Sequence, residues 1–317
     1  MSQHKKIQGS LKTPPSAFQA ARILRPNHPP CRITLIGVGL IGGSFVLDLK
    51  RQQPALTVTG IDTDPANLER ALERRVIDRA FAHISAPSVR GADLVLLATP
   101  VATLPAVCRA AAPFLSPDAV VSDVGSTKQS ALAAFSECLP QHLPRCVAAH
   151  PIAGSDRSGA TAAQFGLYEG RRLVICPHGE QDNRALALVG GLWRAVGADV
   201  HLMPATEHDA VFAAVSHLPH VLAFAYVRQI AEHPDGATYL DFAASGFRDF
   251  TRIASSHPAV WTDICLANSD SLKRLVAGQQ AQLARVAEML QNNDAEGLYR
   301  YFAQAKQTRD DWLERQP

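Results

Sequence analysis

The segment Gly37-Val38-Gly39-Leu40-Ile41-Gly42 has the glycine spacing that lets a backbone close around a pyrophosphate. Gly37 permits a tight turn, Gly39 lets the main chain approach the phosphates, and Gly42 lets a helix and a strand pack closely. The context fits. The apolar run Arg32 to Gly37 precedes the motif and a helical pattern from Leu40 to about Gln53 follows it, so Val38, Leu40 and Ile41 lead into a helix N-terminus that faces negative charge. Asp62 ends the next apolar run (TVTGID), twenty residues beyond Gly42. A carboxylate there accepts hydrogen bonds from adenine ribose hydroxyls and repels a 2′-phosphate, which favours NAD over NADP. Thr99 and Pro100 end the run LLATPV, at the sheet edge where dinucleotides lie, and are expected to line the nicotinamide side. A plain strand-to-helix turn would read the same way.

Three further segments carry candidate acid–base and anion-binding chemistry. His150 follows an apolar run and precedes Pro151 and Gly154. Imidazole titrates near neutrality, so a histidine at a strand's carboxyl end suits proton abstraction from an alcohol. Ser126, in Asp123-Val124-Gly125-Ser126-Thr127-Lys128, comes from the adjacent strand end and could bond both the alcohol and the imidazole. A structural histidine and a simple helix cap at Ser126 fit the same residues. Arg248 and Arg252 are spaced i, i+4, which on a helix puts two guanidinium forks on one face, able to hold a carboxylate or simply to face solvent. Ser216-His217-Leu218-Pro219-His220 begins or kinks a helix.

The elements that must position these residues are readable in outline. Apolar runs at 57–62, 93–99, 119–124 and 146–149 alternate with helical stretches, one of them opened by Pro65, and 172–176 and 199–202 could add strands. That alternation predicts an α/β domain with a doubly wound, mostly parallel sheet. After about Ala205 strand-like runs end and helical patterns take over, predicting an all-α C-terminal domain. The expected organisation is a basic, disordered extension over 1–30, a dinucleotide-binding domain over 31–204, and a helical substrate and dimerisation domain over 205–317. Leu272, Val276, Leu283, Val286 and Leu290 form a near-heptad seam interrupted by Gln279, and a second helix carries Leu298, Phe302 and Trp312. Such seams bury against another helix, in part across a homodimer.

The totals exclude several classes. A net charge of +2 over 317 residues gives no reason to expect nucleic acid or an anionic membrane as partner. The apolar stretches read as strand-length, so no membrane span is expected. Cys31, Cys108, Cys138, Cys146, Cys176 and Cys265 form no C-x-x-C pair, so no metal site is expected, and reduced, buried thiols suit a cytoplasmic protein. The first thirty residues hold five Lys or Arg and no acid, a composition that also resembles a transit peptide.

Taken in order, GVGLIGGS, LLATPV, DVGSTK, HPIAGS, SHLPH and GFRDFTRIA followed by Trp261 resemble the prephenate/arogenate dehydrogenase family of tyrosine biosynthesis, from about Arg32 to Trp312. The resemblance implies oxidative decarboxylation of a cyclohexadienol, prephenate or arogenate, with hydride passing to NAD and aromatisation driving the step. It implies that His150 is the catalytic histidine, that Ser126 positions the hydroxyl and the histidine, that His217 and Arg252 hold substrate carboxylates, and that Arg248 assists. Ser155 and Asp156 fall beside the substrate pocket by the same resemblance. The family often has Glu where this chain has Asp156, one methylene shorter, which changes the reach of any gate there. The chain stops soon after the helical domain, so no appended regulatory domain or fused mutase is expected. Two other readings compete. A β-hydroxyacid-type dehydrogenase would place a catalytic lysine on a helix of the second domain, here Lys273. A non-catalytic NAD-binding protein would have no need of Ser126, His150 and Arg252 together.

Overall fold

A computed structural model describes residues 31–154 and 159–315. The basic segment 1–30, Ser155 and Asp156 lie outside the described residues. Eight strands form one sheet: β1 (Arg32–Ile36), β2 (Thr57–Ile61), β3 (Arg79–Phe81), β4 (Leu94–Leu97), β5 (Val120–Asp123), β6 (Cys146–Pro151), β7 (Arg172–Cys176) and β8 (Asp199–Leu202). Their order is β3-β2-β1-β4-β5-β6-β7-β8, the doubly wound arrangement whose switch point lies between β1 and β4. All neighbours are parallel except β6 and β7, which pair antiparallel with Ala149 opposite Ile175 and His150 opposite Val174.

The central strands β4 and β5 are buried along their whole length because helices cover both faces, and β4 is wholly apolar. Leu94 and Leu96 enter one core, with Leu35, Phe45, Tyr168 and Trp193; Val95 and Leu97 enter the other, with Leu104, Cys108, Phe135 and Phe212. This is the period-2 alternation of a strand expressed as two hydrophobic layers. The first face is covered by α1 (Leu40–Gln52) and α6 (Asn183–Ala195), whose Phe45 and Trp193 rings meet at 4.4 Å. α2 (Pro65–Glu73) also packs on this face through Leu68 and Ala71, and on the other lie α3 (Ala86–Val89), α4 (Leu104–Ala111) and α5 (Lys128–Cys138).

Beyond β8 the chain is helical: α7 (Ala205–Phe212), a π-helical turn (Ala213–His217), α8 (Leu218–Glu232), α9 (Gly236–Asp241), α10 (Ser245–Thr251), α11 (Pro258–Ala267), α12 (Ser269–Gln291) and α13 (Ala295–Glu314). The π turn has a local cause. Pro219 has no N–H to give the carbonyl four residues back, so the ladder takes up one extra residue there. The run from α7 through α8 is continuous, Ala205–Glu232, and is long and apolar enough to cross a membrane by length and composition. This corrects the strand-length reading of its apolar segments. Only 22% of its most apolar window is buried in one chain, yet its N-terminal half is built into the protein. Phe212 sits in the second core layer, and His208, Asp209 and His217 are buried.

The α12 seam is buried at one end only: Leu272 is 6% exposed, whereas Leu283 and Leu290 are each 59% exposed. Phe302 and Trp312 on α13 are also exposed. All six cysteines are free, and all but Cys265 are buried.

Candidate active site

The cofactor half rests on three glycines doing different work. Gly37 has φ +89°, and a Cβ there would lie 2.5 Å from the Ala98 carbonyl oxygen. At Gly42 a Cβ would meet Leu35 Cδ1 at 2.4 Å, so this glycine sets the helix-to-strand approach. At Gly39 nothing lies within 4 Å, which leaves open space beside the backbone at the point where a pyrophosphate approaches. Gly39 is the N-cap of α1, with no capping side chain and no acid in the first turn, so the helix start is not already neutralised by the protein. The loop is braced through Val38. Its N–H donates to Asp62 Oδ2 (3.0 Å), its carbonyl accepts from Asn67 Nδ2 (2.8 Å), and Asn67 Nδ2 also reaches Asp62 Oδ2 (3.0 Å). Asp62 Oδ1 accepts from Asp64 N–H (3.0 Å). Of the roughly four lone-pair sites of a carboxylate, one on Oδ1 is left for a ribose hydroxyl. Thr103 Oγ1 ties down the turn at Thr99 and Pro100, at 2.9 Å from Thr99 Oγ1 and 2.7 Å from the Pro100 carbonyl. These residues fit a dinucleotide.

At the end of β6, His150 is held by a chain of groups that the sequence reading did not single out. Its Nδ1 lies 2.9 Å from His208 Nε2, and His208 Nδ1 lies 2.8 Å from Asp209 Oδ1. Asp209 Oδ1 also accepts from Lys128 N–H (2.7 Å), and Oδ2 from Gln129 N–H (3.0 Å) and Gln129 Nε2 (3.2 Å). An acid from the helical domain thus caps α5 of the nucleotide-binding domain. Thr127, not Ser126, is the N-cap residue by position. Burial raises the Asp209 pKa, but these donors outweigh it and hold the carboxyl below the usual range. Burial first, then the neighbouring His208, Lys128 and His217, holds His150 well below the ordinary imidazole value, so it is neutral.

Behind His150 lies a buried ion pair. Lys128 Nζ, fully enclosed, donates to Asp123 Oδ2 and to the Ala149 carbonyl (2.6 Å). Asp123 Oδ1 accepts from Ala149 N–H (3.1 Å) and Oδ2 from Gly125 N–H (2.8 Å), so both main-chain groups of the residue before His150 are fixed.

Ser126 is part-buried at the end of β5, and among the described residues no hydrogen bond ends on it. No bond from Ser126 to the His150 imidazole is made; His208 holds Nδ1, and Nε2 carries no hydrogen bond from the described residues. His217 is enclosed, and its buried Nε2 has no hydrogen-bond partner among the described residues. It is 1% exposed, its Nδ1 is 3.3 Å from Asn268 Nδ2, and burial pushes its pKa down to about 4. His220, one turn on, is part-buried. It stacks on Trp261 with ring centres 3.5 Å apart, keeps Nδ1 on the Ser216 carbonyl (2.9 Å), and is close enough to Arg252 to feel its charge. Arg248 and Arg252 do not share one α-helix: α10 ends at Thr251, and Arg252 opens a 3-10 turn. Both are exposed. Lys273 is exposed on α12 and pairs with Asp270 at 3.4 Å, away from a catalytic role.

Comparison with known proteins decides the family. Residues 45–202 match the prephenate dehydrogenase nucleotide-binding domain and residues 204–304 the prephenate dehydrogenase dimerization domain. The chain is 38% identical over 288 residues to a prephenate dehydrogenase of Bacillus subtilis, covering 90% of this chain and 76% of that one. The chain belongs to the prephenate dehydrogenase family. A cyclohexadienyl dehydrogenase of Zymomonas mobilis is 32% identical, with 87% and 94% covered. The crystal structure of prephenate dehydrogenase from A. aeolicus, in complex with hydroxyphenyl propionate and NAD+, superposes with a TM-score of 0.83 at 32% identity, covering 90% of this chain and 99% of that one. Within this family fold the glycine loop and the His150 strand end lie at the carboxyl edge of one sheet, and the Arg252 turn packs on α8 and α10.

Proposed function

We propose that the chain oxidatively decarboxylates prephenate to 4-hydroxyphenylpyruvate with NAD as hydride acceptor. The observation that carries this reading is the state of His150: neutral, pinned through Nδ1, with no hydrogen bond from the described residues on Nε2. Nε2 accepts the hydrogen bond of the ring hydroxyl and takes its proton as carbonyl character grows at that carbon. The C–H hydride leaves, the ring–carboxylate bond breaks with its electron pair kept in the ring, carbon dioxide departs, and His150 returns the proton to the phenolic oxygen. Bound NAD supplies the acceptor for the hydride. The open hydroxyl of Ser126 is available to the same substrate oxygen. Arg252 and His220, the latter backed by Trp261, would hold a carboxylate, and Arg248 borders them.

A dual or arogenate preference is the second reading, supported by the cyclohexadienyl relative that aligns over 94% of its length. Initial rates on prephenate and arogenate, each with NAD and NADP, test both. Turnover of neither compound would overturn the proposal. Asp62→Ala should weaken NAD binding and narrow the gap to NADP, because the remaining acceptor site and the repulsion of a 2′-phosphate are lost together. A wild-type preference for NADP of about tenfold or more would remove Asp62 as the selector.

Arg252→Ala should raise the KM for prephenate by roughly one to two orders of magnitude, the loss of a charge-assisted contact of about 1.5–3 kcal/mol. With equal strength in ground and transition states, kcat stays nearly constant. Arg248→Ala should do less. A large KM effect at Arg248 with none at Arg252 would reverse the assignment.

The active form is proposed to be a cytoplasmic homodimer. Support comes from the match to a dimerization domain, the exposed Leu283, Leu290, Phe302 and Trp312, and the six free thiols. Sedimentation at micromolar concentration should give twice 34.1 kDa; only monomer would count against it.

A further inference from the structure

We infer that His208 is a positioning residue for this reaction: together with Asp209 it locks His150 in the one tautomer that leaves Nε2 as an acceptor. The inference rests on the reading of His150 as proton acceptor, and goes beyond it by assigning the proton on each nitrogen. Asp209 is ionised and receives donors on both oxygens, so it can only accept. His208 Nδ1, 2.8 Å away, must therefore carry hydrogen, and a neutral His208 then has a lone pair on Nε2. Burial lowers the His208 pKa despite the Asp209 bond that raises it, which keeps the ring neutral. Two nitrogens 2.9 Å apart share one hydrogen, so His150 Nδ1 supplies it. The only lone pair left on His150 is at Nε2.

The rings cannot easily exchange roles or turn away. His208 is completely buried, so water cannot stand in for it. Phe212 packs on both rings, with centres 5.0 Å from His150 and 4.5 Å from His208. Asp209 is in turn fixed by α5 and by Asn268 Nδ2, which donates to its main-chain carbonyl at 2.7 Å. The charged and titratable groups around His208 are His150, Asp209, Lys128, Asp123 and His217. When His150 takes the hydroxyl proton, the charge that forms is compensated along the line through His208 to Asp209. Because Asp209 and His208 come from α7 and His150 from β6, the tautomer is set only when the helical domain is docked on the sheet.

His208→Leu keeps bulk and removes the acceptor; His208→Gln keeps an amide oxygen that can accept from His150 Nδ1–H. His208→Leu should lower kcat about a hundredfold, with the KM for prephenate and for NAD each within about threefold. His208→Gln should recover about tenfold of that loss. Nitrogen-15 NMR of the His150 ring in the wild-type protein should show Nδ1 protonated and Nε2 bare, and His208→Leu should give a tautomer mixture. Wild-type His150 with hydrogen on Nε2 overturns the inference, and needs no variant to fold. A kcat within threefold of wild type in His208→Leu overturns it too, as does an equal loss in both variants that tracks a lowered Tm. If His150→Ala abolishes turnover while His208→Leu does not, only the positioning role fails. If neither variant loses activity, the assignment of His150 as acceptor fails as well.

Discussion

Alanine at His150 is expected to lower kcat by about 10²–10⁴-fold, the range for loss of a positioned general base. The dinucleotide affinity should hardly change, because the groups proposed to bind it belong to other parts of the sheet. Gly37 to Gly42 join β1 to α1 and Asp62 follows β2, whereas His150 closes β6 on the far side of β4 and β5. The side chain is not needed as packing to the same degree. It is part-buried, and its contacts are the edges of His208 and Phe212 rather than a strand core. Steady-state rates with saturating NAD, beside a direct titration of NADH binding, separate the two effects. A variant with near-normal kcat would make His150 a structural histidine. Equal losses of turnover and NADH affinity would mean that β6 itself had shifted.

The sequence made the sheet legible wherever a strand is covered on both faces. The run Leu94–Leu97 is buried along its entire length, and no amphipathic helix has that pattern. Strand β3, three residues including Arg79 and lying at the sheet edge, has no such signature. Nor can composition show that β7 runs against β6, since either direction buries the same residues. His150 stood out because it ends an apolar strand. His208 and Asp209 did not, because Glu207-His208-Asp209 reads as the polar start of a helix, and only the docking of that helix on α5 makes the pair a buried network. His217 was named from the SHLPH segment by resemblance, and His220 in the same segment was given no role. The π turn adds one residue to the helical repeat before the Pro219 break, so which of the two imidazoles is enclosed could not be drawn from a 3.6-residue periodicity. Ser126 was readable as a residue at the sheet edge but not as one without a hydrogen-bond partner among the described residues, because the cap that α5 needs is supplied by an acid 83 residues further along the chain.

Lys128→Met should destabilise the protein by about 3–5 kcal/mol, the cost of stripping one partner from a buried ion pair. Lys128 and Asp123 are both fully enclosed, and removing the ammonium leaves the Asp123 carboxylate with only the Gly125 and Ala149 N–H groups. The pair need not stabilise the fold as a whole. Two charges removed from water repay their desolvation poorly, and an apolar replacement of both is often neutral. The double variant Asp123→Leu/Lys128→Met should therefore recover most of the lost stability in urea unfolding. It should not recover turnover. Lys128 Nζ holds the Ala149 carbonyl and Asp123 holds the Ala149 N–H, so together they set the strand end from which His150 projects. Stability restored without kcat would assign the buried pair to the geometry of the reacting centre. A single variant within about 1 kcal/mol of wild type would instead mean that water reaches Asp123, and a double variant with full activity would mean that β6 holds His150 in place without either charge.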